Sequence, residues 1–159
     1  MAAAGLPKRR RGVYTRGMSG IDLANLRQEI IQVMQRCGRL WETEDLHTWV
    51  SVAFNGRLSS TLGRAFLDEC RIELNPELLG RLSEHFKPTL IHELAHLVVR
   101  RRYGAKVKAH GLEFRILMAA AGCDTGATVK LPPALARQVI RRRGTRPAMA
   151  ARRLPRRRR

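Results

Sequence analysis

The chain is short of acid, of aromatic rings and of long apolar runs, and each shortage excludes something. Aromatic residues are 5% of the 159, with two Trp, two Tyr and four Phe. That is too few for a base-stacking platform of the kind that tracks single strands, so Trp41 and Trp49 read as packing residues. No apolar run approaches the ~20 residues that span a bilayer as a helix, so no membrane partner is expected. The basic start leads into polar sequence and not an apolar stretch, so it does not read as a secretory leader. The three cysteines, Cys37, Cys70 and Cys123, are odd in number and too widely spaced for a C-x-x-C zinc knuckle. They read as reduced thiols, which points to the cytoplasm, nucleoid-associated, or to the nucleus of a eukaryote.

Acid is scarce and also uneven. There are 31 Lys+Arg against 13 Asp+Glu, a net charge of +18. Residues 1–18 hold five basic groups (Lys8, Arg9, Arg10, Arg11, Arg16) and no acid, and residues 132–159 hold eleven Arg and no acid. Residues 19–131 keep 15 basic groups against 13 acidic ones. The expected organisation is a disordered basic arm (1–18), a nearly neutral body (19–131), a basic amphipathic helix (132–144) and a disordered Arg-rich tail (145–159). Dense blocks of one sign are interaction tails that attract polyanions by counterion release, so nucleic acid is the expected partner of the arms. At 44% hydrophobic residues, the body has enough apolar matter for one monomeric domain that needs no disulfides.

Periodicity predicts the elements. Ser19 and Asp22 form an S-x-x-D start, followed by Leu23, Leu26, Ile30, Val33 and Cys37 at helical spacing, so 20–37 reads as an amphipathic helix that Gly38 ends. From Thr48 the period becomes two, with Val50, Val52 and Phe54 on one face. Asn55-Gly56 is a hairpin signal, and 57–66 should pair back, with Gly63 marking a bulge or a close backbone approach. Asp68-Glu69 reads as a turn before a third strand carrying Cys70, Ile72 and Leu74. Asn75-Pro76 offers an N-cap and a first-turn Pro. A long helix follows from about Pro88 to Tyr103, stopped by Gly104. A loop over 104–110 then leads to a helix over 112–121, with Phe114, Leu117 and Met118 on one side.

Residues 92–96 read His92-Glu93-Leu94-Ala95-His96. Helical residues four apart differ by about 40° in azimuth and about 6 Å in rise, so both imidazoles can reach one ion. Zinc with two nitrogen ligands needs a third protein ligand and a place for water. Glu93, beside His92, can take the proton of a zinc-activated water as general base. This is the metallopeptidase arrangement, and it lies inside an apolar helix where bare polar groups would be costly. The extended H-E-x-x-H-x-x-G-x-x-H pattern fails, because Val99 and Arg102 stand at its last two positions. The candidates for a third ligand are His110, Glu113, Cys123 and Asp124. His110 is favoured, at a Gly-bounded loop-to-helix junction, with Glu113 as substitute or supporting partner.

His92–His96, thirteen intervening residues and then His110-Gly111-Leu112-Glu113-Phe114 resemble the SprT-like (Spartan-type) zinc metallopeptidase domain family. So do Asn55-Gly-Arg-Leu-Ser-Ser-Thr-Leu-Gly63-Arg64-Ala65 and Ile72-Glu-Leu-Asn-Pro-Glu-Leu78. The likeness covers roughly 25–122. It implies an α+β minimal zincin-like domain: an N-terminal helix, a small three-stranded antiparallel sheet, an HExxH active-site helix and C-terminal helices. It implies Zn2+ as cofactor, His92, His96 and His110 as metal ligands, Glu93 as catalytic acid/base, and protein or peptide as substrate. The family includes proteases that degrade proteins crosslinked to DNA. Many members carry a zinc ribbon, where this sequence has an Arg-rich tail. Tyr103 and Arg64 are candidate oxyanion stabilisers, and His47 and His85 read as surface or rim residues. The alternative function is a non-enzymatic nucleic-acid-binding protein with a structural zinc site.

Overall fold

In the computed structural model the structure describes residues 23–58, 61–81 and 83–125. The basic arm (1–18), the Ser19/Asp22 start signal, the helix expected over 132–144 and the Arg-rich tail (145–159) lie outside the described residues. Helix α1 spans Leu23–Leu40 and a short α2 spans Leu46–Trp49. Strands β1 (Ser51–Phe54), β2 (Gly63–Phe66) and β3 (Arg71–Leu74) follow. Then come α3 (Pro76–Arg81), a 3-10 turn (Ser83–His85), α4 (Phe86–Tyr103) and α5 (Leu112–Ala120). The architecture is mixed α+β, as expected.

Helix α4 is the axis of the core. Phe86, Thr89, Leu90, Ile91, Leu94, Ala95, Leu97, Val98 and Val99 are all buried, which covers most of its circumference. Such a helix must be packed on several sides, and α1, β2 and α5 all touch it. Ile30, Val33, Met34 and Cys37 supply the buried stripe of α1. Trp41, at the end of α1, is buried and donates its Nε1–H to the Leu117 carbonyl at 2.8 Å. Trp49 lies half-buried beneath Arg101. The cysteines are free thiols, with Cys37 pushed up to about 12 by burial.

The sheet corrects two expectations. Its order is β1-β3-β2, with β1 parallel and β2 antiparallel to β3, so it is mixed and not wholly antiparallel. Asn55-Gly56 does not close a hairpin either. The Asn55 N–H continues the β1–β3 ladder to the Leu74 carbonyl at 2.8 Å. Its side chain donates to Glu73 at 2.7 Å and accepts the Arg57 N–H at 2.9 Å. These bonds make an Asx turn that carries the chain away from β1. Neither residue takes the positive φ that a type I′ turn requires. The central place goes to β3, whose Ile72 and Leu74 are wholly buried.

Three boundaries also moved. α1 continues through Gly38 to Leu40, because Gly38 serves close packing and not termination. A Cβ there would lie 2.8 Å from the Thr43 carbonyl oxygen. Thr48 and Trp49 belong to α2, so the first strand starts at Ser51. Cys70, expected on the third strand, sits in the preceding turn at φ 47°, so β3 starts at Arg71; other local signals held. Asp68-Glu69 lies in a turn, and Asn75 caps α3 by accepting the Glu77 N–H at 3.0 Å. Gly104, at φ 72°, ends α4. Arg100 pairs with Asp68 at 2.9 Å and Arg101 with Asp45 at 3.1 Å. Arg102 donates to the Trp41 carbonyl and, at 2.8 Å, to the Thr43 hydroxyl. This triplet braces the body from the C-terminal end of α4.

Candidate metal centre

Two helices and one tight turn assemble the site. His92 and His96 are one turn apart on α4, and their Nε2 atoms lie 3.2 Å from each other. His110 arrives from the loop ahead of α5, with its Nε2 3.4 Å from that of His92. The turn that delivers it closes with the Gly111 N–H on the Lys108 carbonyl at 2.9 Å. It favours glycine, since a Cβ at position 111 would meet that same carbonyl oxygen at a tight 3.0 Å. The ligand atoms of the three imidazoles all fall within 4.8 Å of one another.

These separations fit a small tetrahedral cation. Zinc–nitrogen bonds of about 2.0–2.1 Å in tetrahedral geometry put neighbouring nitrogens about 3.3 Å apart. Electrostatics agree with ligation. His92 and His96 are pushed down to about 4, chiefly by burial and further by the neighbouring imidazoles. Both rings are therefore neutral at pH 7, as metal ligands must be. Glu113, Cys123 and Asp124, the other candidates for third ligand, are not in the cluster among the described residues.

Phe114 is the floor of the cluster. It is wholly buried. It stacks on His96 at 4.6 Å and meets His92 and His110 edge-on at 4.9 Å each. The sequence pattern marks it only as core. Its position one helical turn after His110 is the signal that places it beneath the rings.

Glu93, next to His92 on α4, packs against strand β2. The N–H of Ala65 on β2 donates to its carboxylate. Burial pushes its pKa up to about 7, opposed by that bond and by the charge of Arg64. The close approach expected at Gly63 is what lets β2 reach it. A Cβ there would lie 2.9 Å from Thr89 Cγ2, 3.1 Å from Leu74 Cδ2 and 3.2 Å from Glu93 Cγ. Gly63, Ala65 and Thr89 thus surround Glu93, and only Gly63 carries a signal in the sequence. Of the oxyanion candidates, Arg64 lies within electrostatic reach of Glu93. Tyr103 is exposed at the far end of α4, about 10 Å along the axis from His96. His47 is exposed, half-buried His85 sits 3.7 Å from Glu84, and neither joins the cluster.

Comparison with known proteins finds relatives over part of the chain. Protein SprT of Pseudomonas paraeruginosa is 39% identical over 57 residues, covering 35% of this chain and 34% of its own length. Protein SprT of Glaesserella parasuis is 40% identical over 70 residues, covering 43% and 42%. The matches thus span about a third to two fifths of these relatives. No solved structure gives a significant match. The model of the SprT-like family matches residues 30–133, a stretch that holds the sheet, Glu93 and all three imidazoles. The chain belongs to the SprT-like family.

Proposed function

We propose that this protein is a zinc-dependent endopeptidase in which His92, His96 and His110 hold the metal and Glu93 is the general base. One observation carries the reading: two of three converging imidazoles share α4 with a buried carboxylate, next in sequence to His92, that is not one of the cluster. A site that merely braced the fold would have no use for that carboxylate. When bound, zinc supplies Lewis acidity toward a scissile carbonyl and makes a coordinated water acidic. Glu93, pushed up to about 7, suits taking a proton and returning it to the leaving amine near neutral pH. Phe114 keeps the imidazoles oriented and excludes water from beneath them. The edge strand β2 offers main-chain partners to an extended peptide.

The substrates in this reading are proteins associated with nucleic acid, DNA–protein crosslinks included. Support comes from the sixteen basic groups of residues 1–18 and 132–159, which would concentrate the enzyme on a polyanion. The test is cleavage of casein and of a basic DNA-binding protein by zinc-loaded protein, with and without single-stranded DNA. Glu93→Gln should keep zinc and lose cleavage, whereas His96→Ala should lose both. Undiminished turnover by metal-verified Glu93→Gln would falsify the mechanism. Absence of any Glu93-dependent cleavage would favour a structural zinc site in a nucleic-acid-binding protein.

A further inference from the structure

We infer that residues 132–144 fold back as a helix onto the outer face of α5, so that Arg141, Arg142 and Arg143 stand beside the metal centre. The inference goes beyond the peptidase reading and does not depend on it. The inner face of α5 is spent on the core, with Phe114, Leu117 and Met118 buried. Its outer face is apolar as well. Leu112 is 63% exposed and Ile116 56%, the two most exposed large apolar side chains among the described residues. They lie four apart on one face, and exposed Ala119 and Ala120 continue the line one turn on. A helix that is apolar on both faces is one that packs on both.

The chain itself supplies the occupant. Two large side chains fall far short of the about 1,000 Å² that a stable contact between separate molecules needs, so what covers them is tethered. Behind α5 the chain turns at once. The Gly122 N–H returns to the Ala119 carbonyl at 2.9 Å and the Cys123 N–H to the Met118 carbonyl at 3.0 Å, with Gly122 at φ 71°. This is a Schellman turn, which ends the helix cleanly. Residues 124–131, at about 3.3 Å each when extended, outreach the about 8–10 Å between packed helix axes. Residues 132–144 then offer Leu135, Val139 and Ile140 at helical spacing, an apolar face to match the stripe. The nine residues of α5 rise about 13 Å, and 132–144 rise about 20 Å as a helix. An antiparallel pair therefore spans α5 and brings the far end of the segment to His110. Arg141, Arg142 and Arg143 sit at that end, as does Glu113 in the first turn of α5. By helical azimuth Glu113 borders the stripe on one side and Arg115 on the other, so the segment's cations settle toward Glu113. A polyanion held by the tail then lies against the metal centre.

Hydrogen exchange of the whole metal-free chain tests the docking. Amides of 135–143 should exchange about tenfold or more slowly than in a synthetic peptide of residues 126–159. Ile116→Asp, on the stripe, and Val139→Asp, on the segment, should each return them to the peptide rate while the amides of α4 stay protected. If Ile116→Asp unfolds the body, Val139→Asp still decides, since it lies outside the body. Wild-type amides at the peptide rate, or protection that survives in Val139→Asp, would overturn the proposal. So would protection that grows with protein concentration alongside a dimer mass in sedimentation, which gives the stripe to a second copy. The placement of the arginines has its own readout. Co2+, which imidazole sites also take, should displace the amide resonances of Arg141, Arg142 and Arg143 by its paramagnetism, and Ile116→Asp should remove those displacements. Unmoved resonances in Co2+-loaded wild type would overturn that placement. A chain that binds no Co2+ counts against the metal centre and so against the peptidase reading, and hydrogen exchange still decides the docking.

Discussion

Adding one methyl group at Gly63 should disturb both the fold and the general base. The new Cβ would stand 2.9 Å from Thr89 Cγ2, 3.1 Å from Leu74 Cδ2 and 3.2 Å from Glu93 Cγ. Thr89 and Leu74 are buried, at 3% and 0% exposure, so neither can swing into solvent to make room. Overpacking of this kind costs about 1–3 kcal/mol. The lower unfolded-state entropy of alanine returns only about 0.4–1 kcal/mol. The net loss of roughly 1–2 kcal/mol converts to a fall in Tm of roughly 5–15 °C for a body of this size. β2 must also move off α4, which lengthens the bond from the Ala65 N–H to Glu93, so kcat should drop along with Tm. Gly56→Ala is the control, since a Cβ there meets nothing within 4 Å. Thermal unfolding of the metal-free proteins measures the first effect and peptide cleavage by the loaded ones the second. A Gly63→Ala protein that melts with the wild type would refute the close contact of strand and helix.

Other consequences can be checked separately. Glu93 has a folded pKa of about 7, above its ordinary value, so stability is fully present below the unfolded pKa near 4.5 and lost as pH rises through 7. Metal-free Glu93→Gln should therefore gain on the wild type by about 2 kcal/mol between pH 5 and pH 8 in urea unfolding, and a constant difference would contradict the burial of the carboxylate. His92 and His96 are depressed to about 4, so metal-free stability should fall as pH drops from about 6.5 toward 4, and bound zinc should oppose the loss. Phe114→Ala should cost about 3–5 kcal/mol as a buried aromatic truncation and weaken zinc binding as the rings lose their floor. DNA affinity should fall about a thousandfold between 50 and 200 mM salt if six or more phosphates are contacted. Deleting 1–18 and 145–159 should abolish most of that affinity, and unchanged binding would remove the recruitment role.

The sequence made the chemistry more legible than the topology. His92, Glu93 and His96 share one helix, so periodicity alone brings the two imidazoles together. His110 needed a tertiary event, but its Gly-bounded junction marked a rigid turn, and the turn is there. Strand pairing was harder to read because the local signal misled. Asn55-Gly56 carries hairpin chemistry, yet Asn55 spends its side chain on Glu73 and on the Arg57 N–H. Nothing local shows that β1 and β2 will flank β3. Gly38 looked like a helix stop and instead admits the Thr43 carbonyl, a contact that only the folded chain reveals. For the same reason the surroundings of Glu93 were invisible beyond Gly63. Ala65 acts through its backbone, and Thr89 reads as one more residue in an apolar helix.

X-ray absorption at the zinc edge of the zinc-loaded protein tests the central claim most directly. The account predicts one ion per chain with three imidazole nitrogens at about 2.0–2.1 Å and a light-atom fourth neighbour. His110→Ala should leave two of those imidazoles. A sulfur neighbour at about 2.3 Å, or a wild-type spectrum unchanged by His110→Ala, would contradict it.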